Sequence, residues 1–111
     1  TNAGLVKLFV DEAARAINPQ LQQMISGGSP AAQTHFIIDK IEGALQSAGA
    51  GLEHVVRTRI FINNTSIWEA VARAHGERFG KIMPANTMVE AAMIGPEYLV
   101  EIEADAIVDA E

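Results

Sequence analysis

PANTMVEAAMIGPEYLVEIEADAIV, residues 84–108, is the stretch that decides the architecture. It reads as two strands, Ala85 to Met93 and Tyr98 to Val108, joined by a turn at Ile94-Gly95-Pro96-Glu97. Along the second strand Val100, Ile102, Ala104, Ala106 and Val108 share one face, while Glu101, Glu103 and Asp105 share the other. That division follows from the period-two alternation of side chains along a strand. The acidic row suits bulk solvent. The first strand puts Asn86, Met88, Glu90 and Ala92 on one face, half polar and half apolar, which suits a wet cleft or a subunit contact equally well.

Upstream, Ser29 and Pro30 open a helix, the hydroxyl as cap and the proline in the first turn, where its missing N–H costs nothing. Ala32, Ile37, Ile41, Ala44, Leu45 and Ala48 form its apolar stripe, and Gly49 closes it, so a helix is expected over 30–48. Leu52 to Ile62 alternates as a strand, with Val56, Thr58, Ile60 and Ile62 opposite Arg57, Arg59 and Phe61. After the turn at Asn63-Asn64, Ser66-Ile67-Trp68-Glu69 has the form of a capping box. It starts a helix whose face is Trp68, Val71, Ala72, His75 and Phe79 and whose end is Gly80. Trp68 is expected in the core, as large aromatics at helical spacing usually are.

Residues 1–28 carry weaker signals. Leu5 to Val10 reads as a buried strand, or as the start of a helix continuing through Ala13, Ala14 and Ile17 to a stop at Asn18-Pro19. Gln20 to Ile25 reads as a second short strand before the loop Ser26-Gly27-Gly28. The order is β, α, β, α, β, β. That gives a single α+β domain over residues 1–111, with two helices on one face of a sheet.

Composition limits function. No apolar run in the 111 residues approaches the roughly 18 or more that a membrane span needs, and no export leader is visible. The cytoplasm is the expected compartment. With no cysteine there is no disulfide, thiolate nucleophile or Cys-ligated metal. A net charge of −6 disfavours nucleic-acid binding, which rests on Lys and Arg neutralising phosphates. His35, His54 and His75 lack metal-ligand spacing, so neither metal nor cofactor is expected, and His75 reads as a packed or surface helix residue. Arg57 and Arg59 share a strand face and are expected to pair with Glu90, Glu101 or Glu103.

Several runs resemble the YjgF/RidA family of reactive-intermediate deaminases: Ala32-Gln33-Thr34, Ala48-Gly49-Ala50, Val55-Val56-Arg57-Thr58, Pro84-Ala85 and Glu101-Ile102-Glu103-Ala104, in order and at the right spacing. The resemblance covers about Gly27 to Val108 and leaves residues 1–28 poorly matched. It implies a chorismate-mutase-like layer sandwich with a mainly antiparallel sheet. It also implies a closed homotrimer with helices outward and a small-molecule cleft at each subunit boundary. Active members hydrolyse enamines and imines to keto acids and ammonia.

The resemblance assigns Glu101 to the water-positioning, catalytic glutamate, with Asn86, Thr87 and Met88 as substrate-binding positions beside it on the neighbouring strand. Asn86 stands where active members carry the carboxylate-binding arginine of Pro-Ala-Arg, which puts this chain with the arginine-lacking branch. A neutral amide cannot form arginine's bidentate, charge-assisted pair. The expected function is binding or hydrolysis of an imine, enamine or keto-acid-like metabolite. The alternative is a non-catalytic ligand- or partner-binding protein, followed by a ribonuclease or translation inhibitor.

Overall fold

A computed structural model of the chain describes residues 5–13 and 29–109. The expected strand at 20–25, the loop after it at 26–28 and the stop at Asn18-Pro19 lie outside the described residues. Strand β1 spans Leu5–Ala13, helix α1 Pro30–Ser47, strand β2 Val55–Ile62, helix α2 Trp68–Phe79, strand β3 Ala85–Glu90 and strand β4 Val100–Asp109. The strand reading of residues 5–10 therefore holds over the helical one, but the strand is not buried: Leu5, Val6 and Phe9 are exposed on it.

The sheet is mixed, in the order β1-β4-β2-β3. β4 pairs antiparallel with both β1 and β2, whereas β3 runs parallel to β2 at the edge. The expected turn joining β3 directly to β4 is thus a longer crossover, residues 91–99, that passes over the end of β2. Gln33, fully buried, holds this crossover. Its Nε2 donates to the carbonyl of Glu97 at 2.9 Å, and its Oε1 accepts from the Leu99 N–H at 3.0 Å. A buried side-chain amide here satisfies loop backbone groups that would otherwise lose water without replacement.

Both helices cover one face of the sheet. Ile37, Ile38, Ile41 and Leu45 of α1 pack with Val71 and Phe79 of α2 against Ile60, Ile62, Val100, Ile102, Ala104 and Ala106. The start of α1 is capped as expected, with the Ser29 hydroxyl accepting from the Ala32 N–H at 3.1 Å. Gly49 at φ 81° turns the chain out of α1 in a left-handed conformation that side chains disfavour. Lys40 of α1 reaches Glu12 of β1 at 3.0 Å. Among the described residues no helix is long and apolar enough to cross a membrane.

Two local readings change. A β-bulge between Val55 and Arg57 inserts Val56, so Val55 takes the buried position and Val56 is 46% exposed. At α2, residues 65–67 form a 3₁₀ turn, and Asn64 Oδ1, not Ser66, accepts the capping hydrogen bond, from the Ser66 N–H at 2.8 Å. The extra turn leaves Trp68 as the first helical residue and 56% exposed instead of in the core. Val71, Ala74, His75 and Phe79 form the buried face.

Candidate functional site

The sheet face away from the helices carries a grid set by strand register. One row runs Phe9, Asp105, Arg57; the next Asp11, Glu103, Arg59, Thr87; the third Glu101, Phe61, Val89. Arg57 donates through Nε and Nη2 to Asp105 Oδ2 at 3.0 and 2.7 Å. Arg59 Nε donates to Glu103 Oε1 at 2.8 Å. The arginines do pair across the sheet, although Arg57 chooses Asp105, and Glu90 instead accepts from the Thr65 N–H at 2.8 Å. These pairs explain why the acidic row is not simply solvated: Asp105 is buried, and Glu101 and Glu103 are half-buried.

Glu101 has no arginine partner among these bonds. Its carboxyl is hydrogen-bonded to Asp11, which lies diagonally across on β1. That bond, partial burial, and the charges of Asp11 and Glu103 push its pKa up to about 7. A carboxyl group that titrates near neutrality can both accept and return a proton, the property a general acid–base group needs. Asp11 is a contributor that the sequence did not reveal, because its relation to Glu101 depends on the β1–β4 register.

Asn86 lies elsewhere. It pairs with Thr58 on β2, whereas Glu101 pairs with Phe61, and positions 58 and 61 fall on opposite faces. Two strand spacings and three residues of offset put the two backbones roughly 14 Å apart. The expectation that Asn86 sits beside Glu101 on a neighbouring strand is therefore corrected: β2 intervenes, and the sheet separates the side chains. Thr87 shares the face of Glu101, while Met88 packs half-buried against the core on the helix side.

On that helix side Asn86 joins a second polar group. Asn86 Nδ2 donates to Thr58 Oγ1 at 2.8 Å, and Thr58 Oγ1 lies 2.9 Å from His75 Nε2. Thr58 is fully buried and His75 nearly so. Desolvation holds the imidazole below its ordinary range, hence neutral at pH 7. His75 also stacks in a tilted arrangement on Phe79, with ring centroids 4.7 Å apart. A lone polar residue in each of two apolar stripes, Thr58 and His75, was the sequence trace of this pair.

The sequence profile of the endoribonuclease L-PSP family matches residues 14–108. The chain belongs to this family, the one also called YjgF/RidA. A RutC family protein of Synechocystis is 31% identical over 83% of this chain and 72% of its own length. The 3-aminoacrylate deaminase RutC of Acinetobacter baylyi is 31% identical over 71% of this chain and 63% of its own length. The crystal structure of a Mycobacterium tuberculosis member of the YjgF/YER057c/UK114 family superposes with a TM-score of 0.76 at 42% identity, covering 94% of this chain and 79% of that one. The α+β fold of two helices on a four-stranded mixed sheet is thus the fold of the YjgF family.

Proposed function

We propose that this YjgF/RidA protein binds and hydrolyses an imine or enamine at a cleft between the subunits of a homotrimer, with Glu101 handling the proton. The observation that carries the reading is the Glu101 carboxyl, raised to about 7 on an otherwise ion-paired sheet face. In the reaction, the water oxygen bonds to the imine carbon while its proton passes to the Glu101 carboxylate. Glu101 returns that proton to nitrogen to give a carbinolamine, then carries the hydroxyl proton to nitrogen as the C–N bond breaks and the C=O bond forms, so that a carbonyl compound and ammonia leave. Kinship with a relative named as a 3-aminoacrylate deaminase supports this reaction class.

The same face supports association. Leu5, Phe9 and Val89 expose 70%, 55% and 44% of their surface there, an apolar area of the kind that partners cover. The number three comes from the family resemblance. Because Asn86 and Glu101 are apart within one chain, the proposal requires two chains. The β3 edge of one subunit, with Asn86 and Thr87 and with Met88 as apolar wall, adjoins the open face of the next. Asn86 then hydrogen-bonds substrate where other members present arginine.

Ammonia release from an enzymatically generated enamine tests this directly. Wild type should accelerate it, and Glu101→Gln, which keeps shape but cannot take the proton, should lose the acceleration while light scattering still shows a trimer. Equal rates for both proteins, or a 12 kDa monomer at micromolar concentration, would remove the proposal.

A further inference from the structure

A hollow of about 330 Å³ lies on the helix side of the sheet, bounded by the C-terminal end of α2, by Met83 and Pro84, and by Asn86. Its described lining comes from one chain and lies on the sheet face opposite Glu101. Among the described residues His75 and Asn86 are the only ones lining it that have polar side chains, and no charged side chain lines it. Its size suits a molecule of one small ring, at the lower end of the range for ligand sites.

The polar chain described above fixes what the two groups offer. Asn86 Nδ2 faces both the Thr58 hydroxyl at 2.8 Å and the Thr58 carbonyl at 3.4 Å, two acceptors that orient the amide nitrogen inward. The hydroxyl accepts from Asn86 and lies 2.9 Å from His75 Nε2, with its proton assigned to that nitrogen. A neutral imidazole that accepts at Nε2 carries its proton on Nδ1. On that assignment His75 Nδ1–H is a donor and Asn86 Oδ1 an acceptor, on two residues that line the hollow with Phe79, Met83 and Pro84. Met83 is 80% exposed and held at φ 58°, with its N–H bonded to the Phe79 carbonyl at 2.8 Å. A flexible thioether in that position adapts to an apolar surface placed against it.

We infer that this hollow binds a small, flat, uncharged molecule bearing adjacent C=O and N–H groups, the cis-amide edge of a lactam. The carbonyl accepts from His75 Nδ1 and the N–H donates to Asn86 Oδ1. A carboxylate entering the same space loses hydration and meets no cation, so the hollow selects against acids. Asn86 is the one residue shared with the proposed cleft. The two readings otherwise use different faces and different chemistry.

The test titrates 2-pyrrolidinone into the ¹⁵N-labelled full chain, with pyroglutamate, the same ring carrying a carboxylate, as comparison. Saturable shifts should be confined to His75, Gly76, Gly80 and the Asn86 side-chain amide, with pyroglutamate roughly ten-fold or more weaker. Imidazole ¹⁵N spectra should show the Nδ1–H tautomer of His75. Asn86→Leu should weaken 2-pyrrolidinone binding by a similar factor. Should that variant fail to fold, the tautomer and the acid comparison in wild type still decide. Absence of saturation, shifts centred on Glu101 and Arg59, an Nε2–H tautomer, or equal binding of pyroglutamate each overturn the inference. None of these readouts uses enamine hydrolysis, so a failed deaminase assay leaves it standing.

Discussion

Asp11 and Glu101 share a hydrogen bond across the open face of the sheet, and two carboxyl groups can do so only while one of them holds a proton. Glu103 and Arg59 flank the pair in the adjoining row, with Arg57, Asp105 and Lys7 beyond them. Folding raises the Glu101 pKa from 4.5 to about 7. Between those values the folded chain holds more protons than the unfolded one, so stability falls as pH rises through the window. The penalty is absent below the lower value and complete above the upper one. The depressed His75 works in the opposite direction up to about pH 6.5, so the Glu101 share is read as a difference. From pH 5 to pH 8 the melting temperature of wild type should fall relative to that of Glu101→Gln. An unchanged slope in that variant would show that Glu101 does not titrate there.

Arg57 is the main partner of a carboxylate that is almost out of water. The Asp105 side chain is 7% exposed, and Lys7 Nζ lies 3.9 Å from its Oδ1. Arg57→Ala strips the two short bonds and leaves the charge buried. Urea denaturation should register a loss of about 1.5–3 kcal/mol, toward the lower end because Arg57 itself is nearly half exposed. Arg73→Ala, which breaks only an exposed i,i+4 pair with Glu69, should stay within about 0.5 kcal/mol.

Thr58→Val keeps the shape of the buried strand residue and removes the hydroxyl between Asn86 and His75. The buried Nε2 then has no donor, at a cost of about 1–3 kcal/mol by the same denaturation measurement. A change below 0.5 kcal/mol, a limit of roughly half the usual net worth of one hydrogen bond, would mean that water replaces the hydroxyl.

Asn86→Arg tests the role proposed for that position. If the cleft lacks only a cation, turnover of carboxylate-bearing imines should rise by roughly ten-fold or more, from a charge-assisted contact of about 1.5–3 kcal/mol. Wild-type turnover already equal to that of an arginine-bearing relative would contradict the reading. The variant also gives up the Thr58 contact, so its stability should fall even as activity rises.

The first helix was legible because its signals are local: Ser29 and Pro30 at one end, Gly49 at the other, and isoleucines at helical spacing between. The two faces of β4 were legible for the same reason. Strand pairing was not. Nothing within residues 84–108 reveals that β2 fits between β3 and β4, since that depends on a partner thirty residues upstream. The site suffered from this most, because the pairing of Asn86 with Thr58 decides which face it occupies. Val56 was misassigned because a period-two count cannot detect an inserted residue. Trp68 was misassigned because a single 3₁₀ turn moves the start of α2.

The position of β4 has a consequence for how the chain acquires its structure. β4 is the last described element in sequence, yet two of the three strand pairings in the sheet are made by it. While a ribosome is still synthesising residues before Val100, β1 has no partner among the described residues, and the helices have only the parallel β2–β3 ribbon of those residues to cover. Long-range pairing of this kind closes late and slowly. The sheet should therefore close only once Val100–Asp109 has been made, and in the interval the surplus of negative charge helps to keep the apolar segments from associating.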